Sequence, residues 1–193
     1  MARPAPTTPV MPERHTAQSY FGLLDAGILS ENDRVELLEG VIVAMSPHNP
    51  RHAAAVSRAM DVFIAAVGTR AAVRVQLSLP LGSHSVPEPD LAVVPGRTAD
   101  YDTVHPTTAL LIVEVADSSL VQDRLTKAPI YAAAGVPEYW IVNLRDDRVE
   151  VFRTPDPVAR TYTSERSAAR GERLEPVELP GVSVAVEDLL PVR

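Results

Sequence analysis

The strongest hydrophobic pattern in the chain is Leu110-Leu111-Ile112-Val113-Glu114-Val115-Ala116, apolar throughout except at Glu114. Such a run predicts a strand buried on both faces. The pattern then changes to helical spacing, with Ser118 or Ser119 as the cap, Lys127 within the helix, and Gly135 and Pro137 ending it. Pro129 lies inside this helix and predicts a kink just after Lys127, because proline removes one backbone donor. A second apolar strand follows over Tyr139–Val142. Two buried strands joined by a crossover helix over 116–138 imply parallel pairing.

Upstream, Thr16 caps a predicted helix over Ala17–Asp25, which Gly27 ends. The stretch Arg34–Met45 reads as two strands turning near Glu39-Gly40. Asn49-Pro50 supplies a cap and first-turn proline for a helix over 51–67. Val56, Met60, Phe63 and Val67 share one face of that helix, while Arg51 and Arg58 lie on the other. Val73–Leu79 alternates and predicts a strand with one polar face. Leu91–Val94 is a short apolar strand, followed by a loop over 95–108. Asp146-Asp147 marks a hairpin turn into Val149–Arg153. Beyond it come short strand-like pieces separated by Pro and Gly, with an amphipathic end at Val184–Leu190. This order is that of a mixed α/β protein, with a flexible tail over 1–15 and one domain over 16–193.

Composition narrows the possibilities. A chain of 193 residues, 46% of them hydrophobic, can bury an ordinary core without staples. There is no cysteine, so disulfides and thiolate metal sites are excluded. No apolar run approaches ~18 residues, and the first fifteen residues lack an apolar signal core, so no membrane association and a cytoplasmic location are expected. The net charge of −7 argues against a broadly basic nucleic-acid-binding face, so any such binding must use local Arg surfaces and bound cations. Of the 18 basic residues, 17 are Arg, and Lys127 is the single lysine. Arginine does not replace a compact ammonium on a flexible stem.

An ionised carboxylate inside an apolar strand is costly unless it is paired or holds a metal, so Glu114 needs a partner. Asp90 opens a core strand and Glu114 nears the end of another, and neighbouring strands would place both on one edge. Two such oxygen donors suit Mg²⁺ (or Mn²⁺) together with waters and substrate phosphates. Lys127, thirteen residues after Glu114, can reach the same point from the packed helix. Carboxylates, a divalent ion and a lysine form a phosphodiester-hydrolysis set. A Glu–Lys ion pair that merely tolerates burial is the structural alternative. His52, at the start of its helix, could contact a phosphate or assist proton transfer, or act as a surface or capping residue. Gln76 could face the carboxylates or solvent. His48 and His52 have metal-pair spacing, but Pro50 sets His48 before the helix and argues against zinc. Tyr131 and Trp140 fall on elements expected to pack and are read as core.

Pro89-Asp90 followed by Glu114-Val115-Ala116 resembles the PD-(D/E)XK nuclease motif. More specifically, the chain resembles the Uma family of restriction endonucleases. The resemblance rests on Glu36-Leu37-Leu38-Glu39-Gly40, Met45-Ser46-Pro47, Arg51-His52, Asp123…Lys127…Tyr131, Gly135, Glu138-Tyr139-Trp140-Ile141-Val142 and Leu179-Pro180-Gly181. It implies a restriction-endonuclease-like mixed sheet core, helix–three strands–helix–strand, with an added N-terminal hairpin and C-terminal strands. It also implies a Mg-dependent endonuclease acting on DNA, with Asp90 and Glu114 as metal ligands. Glu36 matches the family's hairpin carboxylate and could complete the metal shell, or be an exposed strand glutamate. The third motif position is Ala116, which has no amine, and the resemblance suggests that Lys127 takes that role. A catalytically degenerate binding or regulatory module is the alternative, favoured by Ala116 and the acidic charge. A hydrolase of a smaller phosphate compound is a third reading. A homodimer suits a nuclease that cuts both strands of a two-fold symmetric duplex, although the sequence shows no dimer interface.

Overall fold

The computed structural model describes residues 14–30, 32–47 and 49–192. Helix α1 (Ala17–Asp25) begins at Thr16, whose side chain accepts from the Ser19 N–H in a reciprocal capping box. Strands β1 (Val35–Leu38) and β2 (Val41–Ala44) form an antiparallel hairpin. Its turn residues Glu39 and Gly40 have φ of 51° and 82°, the successive positive values that a tight hairpin turn requires. A Cβ at Gly40 would come within 2.6 Å of Arg14 Cβ, so the position is closed to larger residues twice over. Helix α2 (Pro50–Val67) starts at Asn49, whose side chain accepts from the His52 N–H.

A six-stranded sheet forms the centre: β3 (Ala72–Arg74), β4 (Leu91–Val94), β5 (Leu111–Ala116), β6 (Glu138–Asn143), β7 (Arg148–Asp156) and β8 (Thr161–Ala169), in that spatial order. Only β5 and β6 pair in parallel, as the crossover helix predicts. The crossover is a composite: a short turn α3 (Leu120–Gln122), a π-helical turn over Asp123–Lys127, then α4 (Ala128–Ala133). The small pair β9 (Arg173–Leu174) and β10 (Val184–Ala185), with helix α5 (Val186–Leu189), closes the C-terminal part.

Strand alternation divides the core. Leu91, Val93, Leu111, Val113, Val115, Trp140 and Val142 face α2 and the C-terminal elements. Ala92, Val94, Ile112, Ala116, Tyr139 and Ile141 face the composite helix with Tyr131. Helix α1 packs separately on the hairpin and Val86 through Tyr20 and Leu37. Trp140 is fully buried beside Phe63, with ring centroids 5.7 Å apart, and is the core residue its strand predicts. No described helix is long and apolar enough to cross a membrane.

Two local expectations are corrected, and the helix around Pro129 takes a particular form. The strand predicted over Val73–Leu79 ends at Arg74, because Gln76 adopts φ of 51° and the backbone changes partner. Gln76 N–H then donates to Pro89 O and Leu79 N–H to Pro87 O. Pro129 stands in the first turn of α4, directly after a wide π turn that ends at Lys127 and in which Ala128 N–H donates to Asp123 O. The late segment over 161–169 is one continuous nine-residue strand, since its mostly exposed polar face disguises the pairing to β7.

Candidate active site

The sheet register assembles the centre of the site. Leu91 opposes Val113 and Ala92 opposes Ile112, so continuing one residue sets Asp90 opposite Glu114. Both fall at even positions, on the face covered by the composite helix. The two strands lock reciprocally there: Asp90 N–H donates to Glu114 Oε2 at 3.2 Å, and Val115 N–H donates to Asp90 Oδ2 at 2.9 Å. Side chains this close across antiparallel strands act as one unit.

Four further groups converge on this pair. Lys127 Nζ lies 2.9 Å from Glu114 Oε1 and 3.3 Å from Glu36 Oε2, with 6% of the residue exposed. Asp123 and Lys127, four residues apart, are the two buried residues of the π turn. Tyr131, one turn later, donates its hydroxyl to Glu114 Oε1 at 2.7 Å. From α2, His52 Nε2 sits 3.1 Å from Asp90 Oδ2. Gln76 Nε2 donates to Asp90 Oδ1 at 3.0 Å, and its positive φ is the backbone strain that turns it there.

The hairpin brings Glu36. Leu37 and Val86 exchange backbone hydrogen bonds, docking β1 beside the segment that leads to Asp90. Glu36 is therefore buried, with Oε2 accepting from Glu88 N–H at 3.2 Å as well as facing Lys127. It is neither the exposed strand glutamate nor turned into a common shell with Asp90 and Glu114. Among the described residues no three His, Cys, Asp or Glu side chains are grouped so that they could hold one metal ion. His48 lies outside the described residues, so the His48–His52 pairing is not addressed.

Asp90, Glu114, Lys127, Glu36 and His52 thus line one pocket, joined by Glu88, Asp117, Ser119 and Asp123. The pocket opens to the surface and its volume is about 50 Å³, room for an ion and a water rather than for a substrate body. Reading the sequence assigned no role to Glu88 or Asp123, and read Tyr131 as core, which it is, without its hydrogen bond to Glu114. Asp123 is 2% exposed and accepts from Ser119 Oγ at 2.7 Å. The available signal was alternation and helical spacing: Glu88 is two residues before Asp90, and Asp123, Lys127 and Tyr131 recur every four. Another buried acid, Glu150, accepts from Arg124 and from Asn143 Nδ2 on the neighbouring strand, and so is satisfied outside this pocket.

The electrostatics are lopsided. Five carboxylates (Glu36, Glu88, Asp90, Glu114, Asp123) crowd one ammonium. Burial pushes Glu114 up to about 8, against the pull of Lys127 and with the push of Asp90, Asp123 and Glu36. Burial likewise raises Asp123 to about 6, partly offset by Lys127. Asp90 behaves oppositely: burial would raise it, but hydrogen bonds from His52, Val115 N–H and Gln76 outweigh burial and hold it below the ordinary carboxylate range. Lys127 also loses by burial, yet Glu114, Glu36 and Asp123 outweigh that and keep its proton firmly bound. The site therefore pairs an acid held in its ionised form with one whose burial favours the protonated form.

Such a donor set fits a divalent cation. It is all oxygen, it offers two carboxylates from facing strands, and it carries surplus negative charge in a water-sized space. Two protein carboxylates with water and substrate oxygens completing the shell is the arrangement Mg²⁺ prefers.

Residues 18–187 match the model of the Uma2 family, described as "Putative restriction endonuclease". Among solved structures, the fold is similar to a "putative nuclease belonging to DUF820" from Anabaena variabilis, with a TM-score of 0.66 and 19% identity, covering 86% of this chain and 96% of that one. No curated protein matches the chain. With the family model spanning nearly the whole described chain, the protein belongs to the Uma2 family and has a nuclease-like fold.

Proposed function

We propose that the protein is a Mg²⁺- or Mn²⁺-dependent endonuclease that hydrolyses DNA phosphodiester bonds. The observation that supports this most is the opposition of Asp90 and Glu114 at the end of β4 and β5 with the Lys127 ammonium 2.9 Å from Glu114. Asp90 and Glu114 would hold the cation. When bound, a divalent ion supplies Lewis acidity and lowers the pKa of a water.

The chain's own residues do the rest. Lys127 carries a fixed positive charge at a buried position, where it can orient a water and stabilise negative charge developing on a phosphate. This supplies the amine that Ala116 lacks. Glu36 also contacts the Lys127 ammonium, and Tyr131 fixes the Glu114 carboxyl through Oε1. His52 and Gln76 hold the two oxygens of Asp90 and keep it ionised. Glu36, Tyr131, His52 and Gln76 are positioning residues on this reading. Cutting both strands of a duplex asks for two sites related by a two-fold axis, so a homodimer belongs to the same proposal.

Incubation of the purified protein with plasmid DNA and Mg²⁺ or Mn²⁺ tests the reading. Nicking or linearisation that stops with chelator and is lost in Asp90→Asn is the expected result. Cutting that persists in Asp90→Asn overturns it, as does the absence of cutting. Metal-independent DNA binding without cutting would instead favour a degenerate binding module.

A further inference from the structure

The active-site pocket, at about 50 Å³, cannot hold a nucleotide. Beside it lies a cavity of about 800 Å³, bounded by α1, the loop after it, the start of β1 and the segment Gln76–Ser78. The two spaces are continuous in their walls, since Met45 and Glu88 line both, and Gln76 lines the larger one while holding Asp90. Its volume falls in the range of small-molecule sites. The lining is mixed: apolar surface from Tyr20, Phe21, Leu24 and Leu77, and hydroxyls from Ser30 and from Ser78, the latter already donating to Glu88 at 3.0 Å. Phe21 forms a parallel stacked pair with His105, ring centroids 5.3 Å apart and planes 11° apart. Leu77 is 47% exposed at this surface, although apolar.

The charge of the lining discriminates between the parts of a nucleotide. Asp25, Asp33 and Glu88 outnumber Arg34 there, so a phosphate is disfavoured. A flat, neutral heteroaromatic ring with polar edges suits the aromatic and apolar wall and the flanking hydroxyls. We propose that this cavity takes one unstacked nucleobase of the substrate strand, adjacent to the scissile phosphate. The inference rests on the nuclease reading and adds a substrate class to it: strands in which a base is free to leave the stack, such as single-stranded or mismatched DNA. A paired base must first be extruded, which favours the unpaired substrate.

Equilibrium binding of single-stranded oligonucleotides about twelve nucleotides long tests this, with Ca²⁺ in place of Mg²⁺ and an abasic site moved through the sequence. One abasic position is expected to weaken binding about tenfold in the wild-type protein, within the range of one lost stacking contact. Leu77→Trp, which fills the mouth from a half-exposed position, should bind the intact strand at the abasic level and be insensitive to the abasic site. Phe21→Leu keeps apolar volume but removes the ring, and should lose part of the same discrimination. Equal binding of intact and abasic strands by the wild-type protein overturns the proposal. So does a Leu77→Trp protein, melting like the wild type, that still discriminates. If abasic sites have no effect while Mg²⁺-dependent cutting persists, the base cavity falls and the nuclease reading stands. If no strand is bound and none is cut, both fall.

Discussion

Removing the ammonium and removing its acid partner from the active-site pocket should have very different costs. In a balanced buried ion pair, deleting either partner strands the other charge and costs about 3–5 kcal/mol. Here the two deletions are not equivalent. Lys127→Met removes the one ammonium facing Glu114 at 2.9 Å and Glu36 at 3.3 Å, with Asp90 and Asp123 buried close by. Its cost should lie in the full range of about 3–5 kcal/mol. Glu114→Gln puts a neutral amide where burial already favours the neutral acid, and its amide oxygen can still accept from Lys127 and Tyr131. The cost should be roughly 1 kcal/mol or less. Urea unfolding in chelator at neutral pH measures both, because Trp140 is the single tryptophan and is fully buried. The Lys127→Met midpoint should fall by on the order of 1–3 M, with Glu114→Gln close to wild type. Mg²⁺ should then return part of the Lys127→Met loss, about 2.7 kcal/mol at a hundredfold excess over Kd. Equal losses for the two variants, or no recovery with Mg²⁺, would refute the surplus of acid.

Two further outcomes follow from the same cluster. Glu114, raised from 4.5 to about 8, and Asp123, raised from 3.8 to about 6, bind their protons more tightly folded than unfolded. Their contribution to stability is complete below the unfolded values and is lost as pH rises through about 6 and then about 8. The metal-free protein should therefore melt at a lower temperature at about pH 9 than at about pH 6, and Glu114→Gln should flatten that slope; a melting temperature that rises over this window contradicts the assignment. Tyr131→Phe removes the hydroxyl that donates to Glu114 at 2.7 Å while keeping the ring in its packed place. A loss of about 1–3 kcal/mol in urea unfolding is expected, and an unchanged midpoint would show that the hydroxyl contributes nothing.

Much of this arrangement could be read from residue order because period and burial speak together in the central elements. The run Leu110–Ala116 announced a doubly buried strand, Glu114 announced itself as the anomaly within it, and a single lysine four turns on was a conspicuous partner. The hairpin was equally legible, since Glu39-Gly40 is the chemistry its turn demands. What stayed hidden depends on tertiary structure. Alternation over Val73–Leu79 is a sound strand signal, but it carries no trace of the positive φ that turns Gln76 toward Asp90. Pro129 signals a disturbed helix without saying on which side of Lys127 the disturbance will fall. Glu88 looked like a loop residue between two prolines, and only the docking of the hairpin onto Val86 places it beside Glu36. The strand β8 presents mostly exposed polar residues, so hydrophobic pattern could not reveal its length.

The central claim is that Asp90 and Glu114 together hold the divalent ion beside Lys127, and locating that ion tests it most directly. A crystal grown with Mn²⁺ and measured for anomalous scattering should show a peak bridging one oxygen of Asp90 and one of Glu114, at the roughly 2.0–2.2 Å typical of small hard cations. A peak elsewhere, or none at millimolar Mn²⁺, would contradict the account.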